Sequence, residues 1–163
     1  MRRKEQFPTD AKLAKVTGLL RLLSHNKAKL SIAQVSEMSN SDVDTLLPQV
    51  SAAEQLKLVR VVGDEIILTK LGTELHENKE EAVKEISASL KKFEPFKTAY
   101  EMSKKNGMFK TEELAEELTK KKVTFNVDSE RNINIINTLL FQWAIYFGVL
   151  DYYGVDGRWV EER

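Results

Sequence analysis

Lys120, Lys121 and Lys122 stand shortly before Arg131, Asn132, Asn134 and Asn137, and Arg158 follows near the end of the chain. Such side chains at the start of a helix can hydrogen-bond base edges in a major groove while neighbouring cations hold phosphates. Asp128 and Glu130 dilute the set, and duplex affinity rests largely on uncompensated positive charge. The preferred reading is therefore plainer: three lysines close a helix C-terminus, where the dipole favours them, and the asparagines are surface or capping residues. An equivalent helix earlier in the chain is worse suited to DNA. Between Lys29 and Lys57 there is no Lys or Arg, while Glu37, Asp42, Asp44 and Glu54 would face phosphate.

Catalytic chemistry finds few bearers. His25 and His76 are the only two histidines, and neither stands in a metal-binding spacing or beside a nucleophile. Glu112, Glu113, Glu116 and Glu117 share a helix with Lys120 to Lys122 at the next turn, the pattern of an ion-paired exposed face rather than a metal site. Cysteine is absent, which removes thiol nucleophiles and thiolate ligands. No Gly-rich phosphate loop occurs. The expectation is a non-enzyme with no catalytic residue, no cofactor and no metal.

The remaining candidate is an apolar surface. Ile133, Ile136, Leu140, Trp143 and Phe147 form one helical stripe, but Ile135, Leu139, Phe141, Ile145 and Tyr146 lie outside it. A helix that is apolar nearly all round is buried on several sides. Either it is the central helix of the molecule, or one face meets a partner protein or a second copy in a homodimer. In the second case Phe141, Tyr146, Tyr152 and Tyr153 form the partner interface.

These residues need elements to hold them. The chain has 163 residues, 42% of them hydrophobic, and Lys+Arg balances Asp+Glu at 25 each, so no net charge draws it toward polyanions. Helical periodicity from Ala11 to Leu23 marks a first helix, and Ile32 to Met38 a second. Ser41-x-x-Asp44 resembles a capping box opening a third helix, with Val43, Leu46, Leu47, Val50 and Ala53 inward. Gly63-Asp64 between Leu58 to Val62 and Glu65 to Leu68 predicts a two-residue hairpin. The order recurs: a helix through Tyr100, later a helix ending at Phe147, then Val149 to Tyr153, a turn through Gly154 to Gly157, and Arg158 to Val160. The spacing predicts a mainly α fold with small β-hairpin wings, a tandem winged-helix (helix-turn-helix-like) architecture. Residues 1–78 are expected to form one unit, 79–93 a connecting helix interrupted at Pro95, and 94–163 a second unit.

Leu46-Leu47-Pro48, Leu56 to Val59, Leu68-Thr69-Lys70-Leu71-Gly72 and Trp143-x-x-Tyr146-x-x-x-Leu150-Asp151-Tyr152 occur in that order. The ordered set resembles the AAA-associated C-terminal domain found on ATPase subunits of nitrate/sulfonate/taurine-type ABC transporters and also as a free-standing protein. The chain has no Walker A pattern. The resemblance implies a regulatory or accessory module, with a transporter ATPase as protein partner, and carries over no catalytic residue. A DNA-binding transcription regulator using the second unit is the competing expectation. Arg2-Arg3-Lys4 leads into a polar stretch, unlike a signal peptide, and no apolar run is long enough for membrane insertion, so the cytoplasm is the expected location.

Overall fold

The computed structural model describes residues 5–162. Within this range the chain forms two compact units, one of residues 10–85 and the other of residues 86–162 together with residues 5–9. The protein is mainly helical, and each unit carries a small three-stranded antiparallel sheet.

In the first unit α1 (Leu13–Ser24) buries Val16, Leu19, Leu20 and Leu23, one side of its helical period. β1 (Lys29–Ser31) leads directly into α2 (Ile32–Ser39), which a capping box opens: Gln34 N donates to the Ser31 hydroxyl at 3.1 Å, and Ser31 N donates to Gln34 Oε1 at 2.8 Å. The box expected at Ser41-x-x-Asp44 does not form. α3 (Val43–Gln55) has Asp42 at its N-cap without a side-chain capping bond. Two of its apolar positions, Val43 and Leu47, are exposed rather than inward. Gln49 is buried instead, because its side chain accepts from Lys12 N at 2.8 Å and donates to Asp10 O at 2.9 Å. These bonds satisfy the amide of the buried Gln49 and tie α3 to the segment that leads into α1.

β2 (Val59–Val62) and β3 (Glu65–Leu68) form the first wing, and Gly63 takes φ +63° in the two-residue turn between them. β1 completes the sheet against β3, with Leu30 opposite Ile66. The Leu68 to Gly72 segment has a local physical cause. Thr69 caps α4 (Lys70–His76) by accepting from Gly72 N at 3.0 Å, and its hydroxyl donates back to Leu58 O at 2.9 Å. A Cβ on Gly72 would collide with the Leu58 carbonyl oxygen, so only glycine allows helix and strand this close.

α5 (Glu80–Leu90) buries Ala82, Ile86 and Leu90, and the boundary between the units falls within it. The second unit repeats the order of elements: α6 (Phe96–Asn106) after Pro95, β4 (Met108–Phe109), α7 (Thr111–Lys120), α8 (Ser129–Leu139), β5 (Leu150–Tyr153) and β6 (Arg158–Glu161). β6 lies between β4 and β5, with Trp159 opposite both Phe109 and Tyr152. Residues 5–9, which precede the first unit in sequence, pack in the second. Phe7 is buried, its ring edge-on to Phe96 at 5.2 Å and to Trp143 at 4.9 Å, and its N–H donates to Glu94 O at 2.8 Å.

Candidate interaction surface

α8 runs into one π-helical turn, Leu140–Ala144, in which Ile145 N donates to Leu140 O at 3.3 Å. The extra residue in the turn redistributes the apolar side chains. Ile136, Leu139, Leu140, Trp143, Ala144 and Phe147 are buried, while Phe141 stays 40%, Ile145 36% and Tyr146 53% exposed. The helix is therefore one-sided at its C-terminal end, with an apolar strip left in solvent opposite the core.

The four residues of the expected partner interface fall into two groups. Phe141 and Tyr152 join Trp159 in a triangle of rings, with centroid distances of 4.7 Å (Phe141 to Tyr152), 4.8 Å (Phe141 to Trp159) and 4.7 Å (Tyr152 to Trp159). This cluster fixes the wing to the π turn. Tyr146 and Tyr153 stand outside that cluster: Tyr146 rests edge-on against Phe147 at 4.9 Å, and Tyr153 on the wing is 48% exposed, while Phe141 is at once a member of the cluster and partly open to solvent. Ile145, which helical spacing already leaves outside the inward stripe, is also exposed beside Tyr146. Trp159 could have been found from strand alternation, since Arg158 and Val160 on either side are only partly buried.

Hydrogen bonds hold the wing from beneath. Trp159 Nε1 donates to the Thr111 hydroxyl at 3.0 Å, and Thr111 donates onward to Asn137 Oδ1 at 2.8 Å. Asn137 is thereby engaged within the fold. Asn132 is buried as well: its Oδ1 accepts from Phe125 N at 2.7 Å and from Asn126 N at 3.3 Å, shaping the loop before α8. Asp128 caps that helix by accepting from Arg131 N at 3.0 Å.

The remaining members of the basic set are partly neutralised. Lys120 pairs with Glu117 at 3.1 Å, and Lys121 pairs with Glu101 at 3.3 Å while also donating to the Thr98 hydroxyl at 2.9 Å. Lys122, Arg131 and Asn134 are exposed, and Arg158 on the wing is half-buried.

A second electrostatic feature lies at the end of β6. Lys104 Nζ reaches Glu161 Oε2 at 2.8 Å, Tyr100 donates to the same oxygen at 3.3 Å, and Lys91 Nζ sits 4.2 Å from the centre of the Tyr100 ring. The Lys104 hydrogen bond holds the Glu161 carboxyl below its ordinary value, and the bond to Glu161 raises the Lys104 ammonium above its own. No helix is long and apolar enough to cross a membrane, and no cluster of three or more potential metal ligands occurs among the described residues.

A family model for the C-terminal AAA-associated domain matches residues 33–153, and the chain belongs to that family. Neither a curated protein nor a solved structure matches it.

Proposed function

We propose that this chain is a non-catalytic accessory module of two winged-helix units that works in the cytoplasm through protein contacts. Its partner on this reading is the ATPase subunit of a nitrate/sulfonate/taurine-type ABC transporter. The observation that carries the proposal is the apolar strip of Ile145 and Tyr146 just after the π turn that follows α8, left exposed beside a core that already holds Trp143 and Phe147. Exposed aromatic side chains of this kind provide the anchors of protein interfaces, each contributing apolar area and little rotamer entropy. Tyr153 on the wing adds a third side chain to the partner surface, while Phe141 and Tyr152 support it through the ring cluster with Trp159. Family membership supports the choice of an ATPase as the partner.

The experiment is co-purification of the tagged chain with the ATPase subunit, repeated with Tyr146→Ala and with nuclease treatment. Retention by the wild type, loss in the variant and indifference to nuclease support the proposal. If Tyr146→Ala retains the ATPase fully, the surface is misassigned. If the chain sediments as a dimer that Tyr146→Ala dissolves, the surface belongs to a homodimer.

Duplex binding by the second unit is the second reading, favoured by the exposure of Arg131 and Asn134 on one helix, with Lys122 and Arg158 as phosphate contacts. It ranks below the first because Asn132 and Asn137 are committed to internal hydrogen bonds and Lys120 and Lys121 to carboxylates.

A further inference from the structure

We infer that the first unit holds a binding site for a small organic anion with an apolar body and a carboxylate headgroup, in the cavity between α1 and the turn joining α2 to α3. The cavity measures about 340 Å³, within the range of small-molecule pockets. Leu19, Leu22, Val35 and Leu46 give it apolar walls, and Lys15, Arg21 and His25 are the charged or titratable side chains that line it. None of its lining residues is acidic. Neither Lys15 nor Arg21 has a carboxylate within ion-pair distance among the described residues, although the chain as a whole has as many acids as bases.

Gly18 is the second observation. It lies in the middle of α1 between Lys15 and Leu22, on the stripe that faces the cavity. Glycine is the least favourable residue for a helix interior apart from proline. Packing supplies no reason for it here, since a Cβ at this position would meet no atom within 4 Å. The missing side chain leaves the wall of the cavity open. Arg21 stands in the last turn of α1, where the helix dipole alone would favour a cation, but Lys15 stands well before it and has no such cause. The guanidinium fork of Arg21 matches a carboxylate in a bidentate way, while Lys15 supplies a point charge at the other side of Gly18. Lys15 also borders a neighbouring recess that holds Asp10 and Asp44, so the charge favouring an anion in this cavity comes chiefly from Arg21, and the cavity size limits that anion to a small amphipathic one.

The test is an amide-shift titration of the full chain with octanoate, with octanamide as the neutral isostere. Saturable shifts at Gly18, Leu22 and Val35 are expected with octanoate, and binding of octanamide should be roughly tenfold weaker or more, the effect of a lost charge-assisted hydrogen bond. Arg21→Ala should weaken octanoate by a similar factor. Gly18→Leu should abolish the shifts while its melting temperature holds or rises. Should that variant fail to fold, Arg21→Ala and Lys15→Ala together carry the same test. Tyr146→Ala, in the other unit, should leave octanoate binding unchanged, which separates this site from the partner surface proposed above. Absence of saturable shifts overturns the inference, as does equal binding of octanamide or unchanged binding in a folded Gly18→Leu. So does a dimer that Gly18→Leu dissociates, which would make the cavity an interface between copies.

Discussion

The indole nitrogen of Trp159 donates to the hydroxyl of Thr111 at 3.0 Å, joining the middle strand of the second sheet to the first residue of α7. Thr111 passes its own proton toward Asn137 at 2.8 Å, so one buried hydroxyl satisfies a donor on the wing and an acceptor on α8. Thr111→Val keeps the shape and removes both bonds, leaving the indole N–H without an acceptor. Unsatisfied buried groups cost about 1–3 kcal/mol each, so the variant should lose on the order of 2–4 kcal/mol of stability. Thr111→Ser should retain most of it. Urea unfolding of the three proteins checks both expectations.

Trp143 and Tyr146 stand three residues apart and should respond oppositely to truncation. Trp143 is fully buried and touches Phe7 edge-on at 4.9 Å, so Trp143→Ala opens a cavity and should cost about 3–5 kcal/mol. Tyr146 is 53% exposed, and Tyr146→Ala should cost about 1 kcal/mol or less while weakening partner association. Thermal unfolding paired with sedimentation of both variants distinguishes them. Equal destabilisation would mean that Tyr146 belongs to the core.

The exposed Lys104–Glu161 pair predicts a pH dependence of known sign. Glu161 has a folded pKa below the ordinary 4.5, so its contribution is complete above that value and is lost as pH falls through the lowered one. Lys104 has a folded pKa above 10.5, so its contribution holds below that value and is lost as pH rises through the raised one. Between the two the pair is fully formed. Carbon-detected titration of the Glu161 carboxyl should therefore find a depressed midpoint, and Lys104→Met should return it toward 4.5. An unchanged midpoint in that variant would assign the depression to another cause.

The features legible in the sequence are those whose causes are local. Gly63-Asp64 turns the first wing and the Gly154 to Gly157 segment turns the second, because the residues at a tight turn decide it almost alone. Helical spacing marks Leu13, Val16, Leu20 and Leu23 as one inward stripe of α1; Val16, Leu20 and Leu23 are buried, while Leu13 at the start of the helix is only half-buried. What escaped depends on distant parts of the chain. Phe7 sits in a polar stretch, and only the fold brings it to Phe96 and Trp143. Val43 and Leu47 face solvent while α3 turns Gln49 inward onto the backbone of Asp10 and Lys12, a polar contact that hydrophobic periodicity does not register. The π turn shifts the ladder by one residue, which leaves no trace in composition, yet it seats Phe141 against Tyr152 and Trp159. Of the candidate site, the residue types were readable; their division into supporting rings and exposed rings was not.

The asparagines of α8 allow the two functional readings to be separated by mutation. Asn132 Oδ1 accepts from Phe125 N at 2.7 Å and is buried, so Asn132→Ala should destabilise the fold by about 1–3 kcal/mol whatever the protein binds. Arg131 and Asn134 are exposed on the same helix, and their replacement by alanine should change stability by only about 0.5 kcal/mol. If either side chain read a base edge, its truncation would weaken one duplex sequence by about 1–3 kcal/mol relative to others, whereas truncation of Lys122 would weaken all sequences alike. With zero net charge and two of the three clustered lysines paired to glutamates, the expected outcome is weak duplex binding in moderate salt, with little sequence preference and no selective effect of Arg131→Ala or Asn134→Ala. Fluorescence anisotropy over a salt series, with a randomised duplex pool as competitor, measures affinity, salt dependence and selectivity together. Tight binding that discriminates among duplexes and collapses in Arg131→Ala, with stability unchanged, would reverse the ranking and make the second unit a DNA reader.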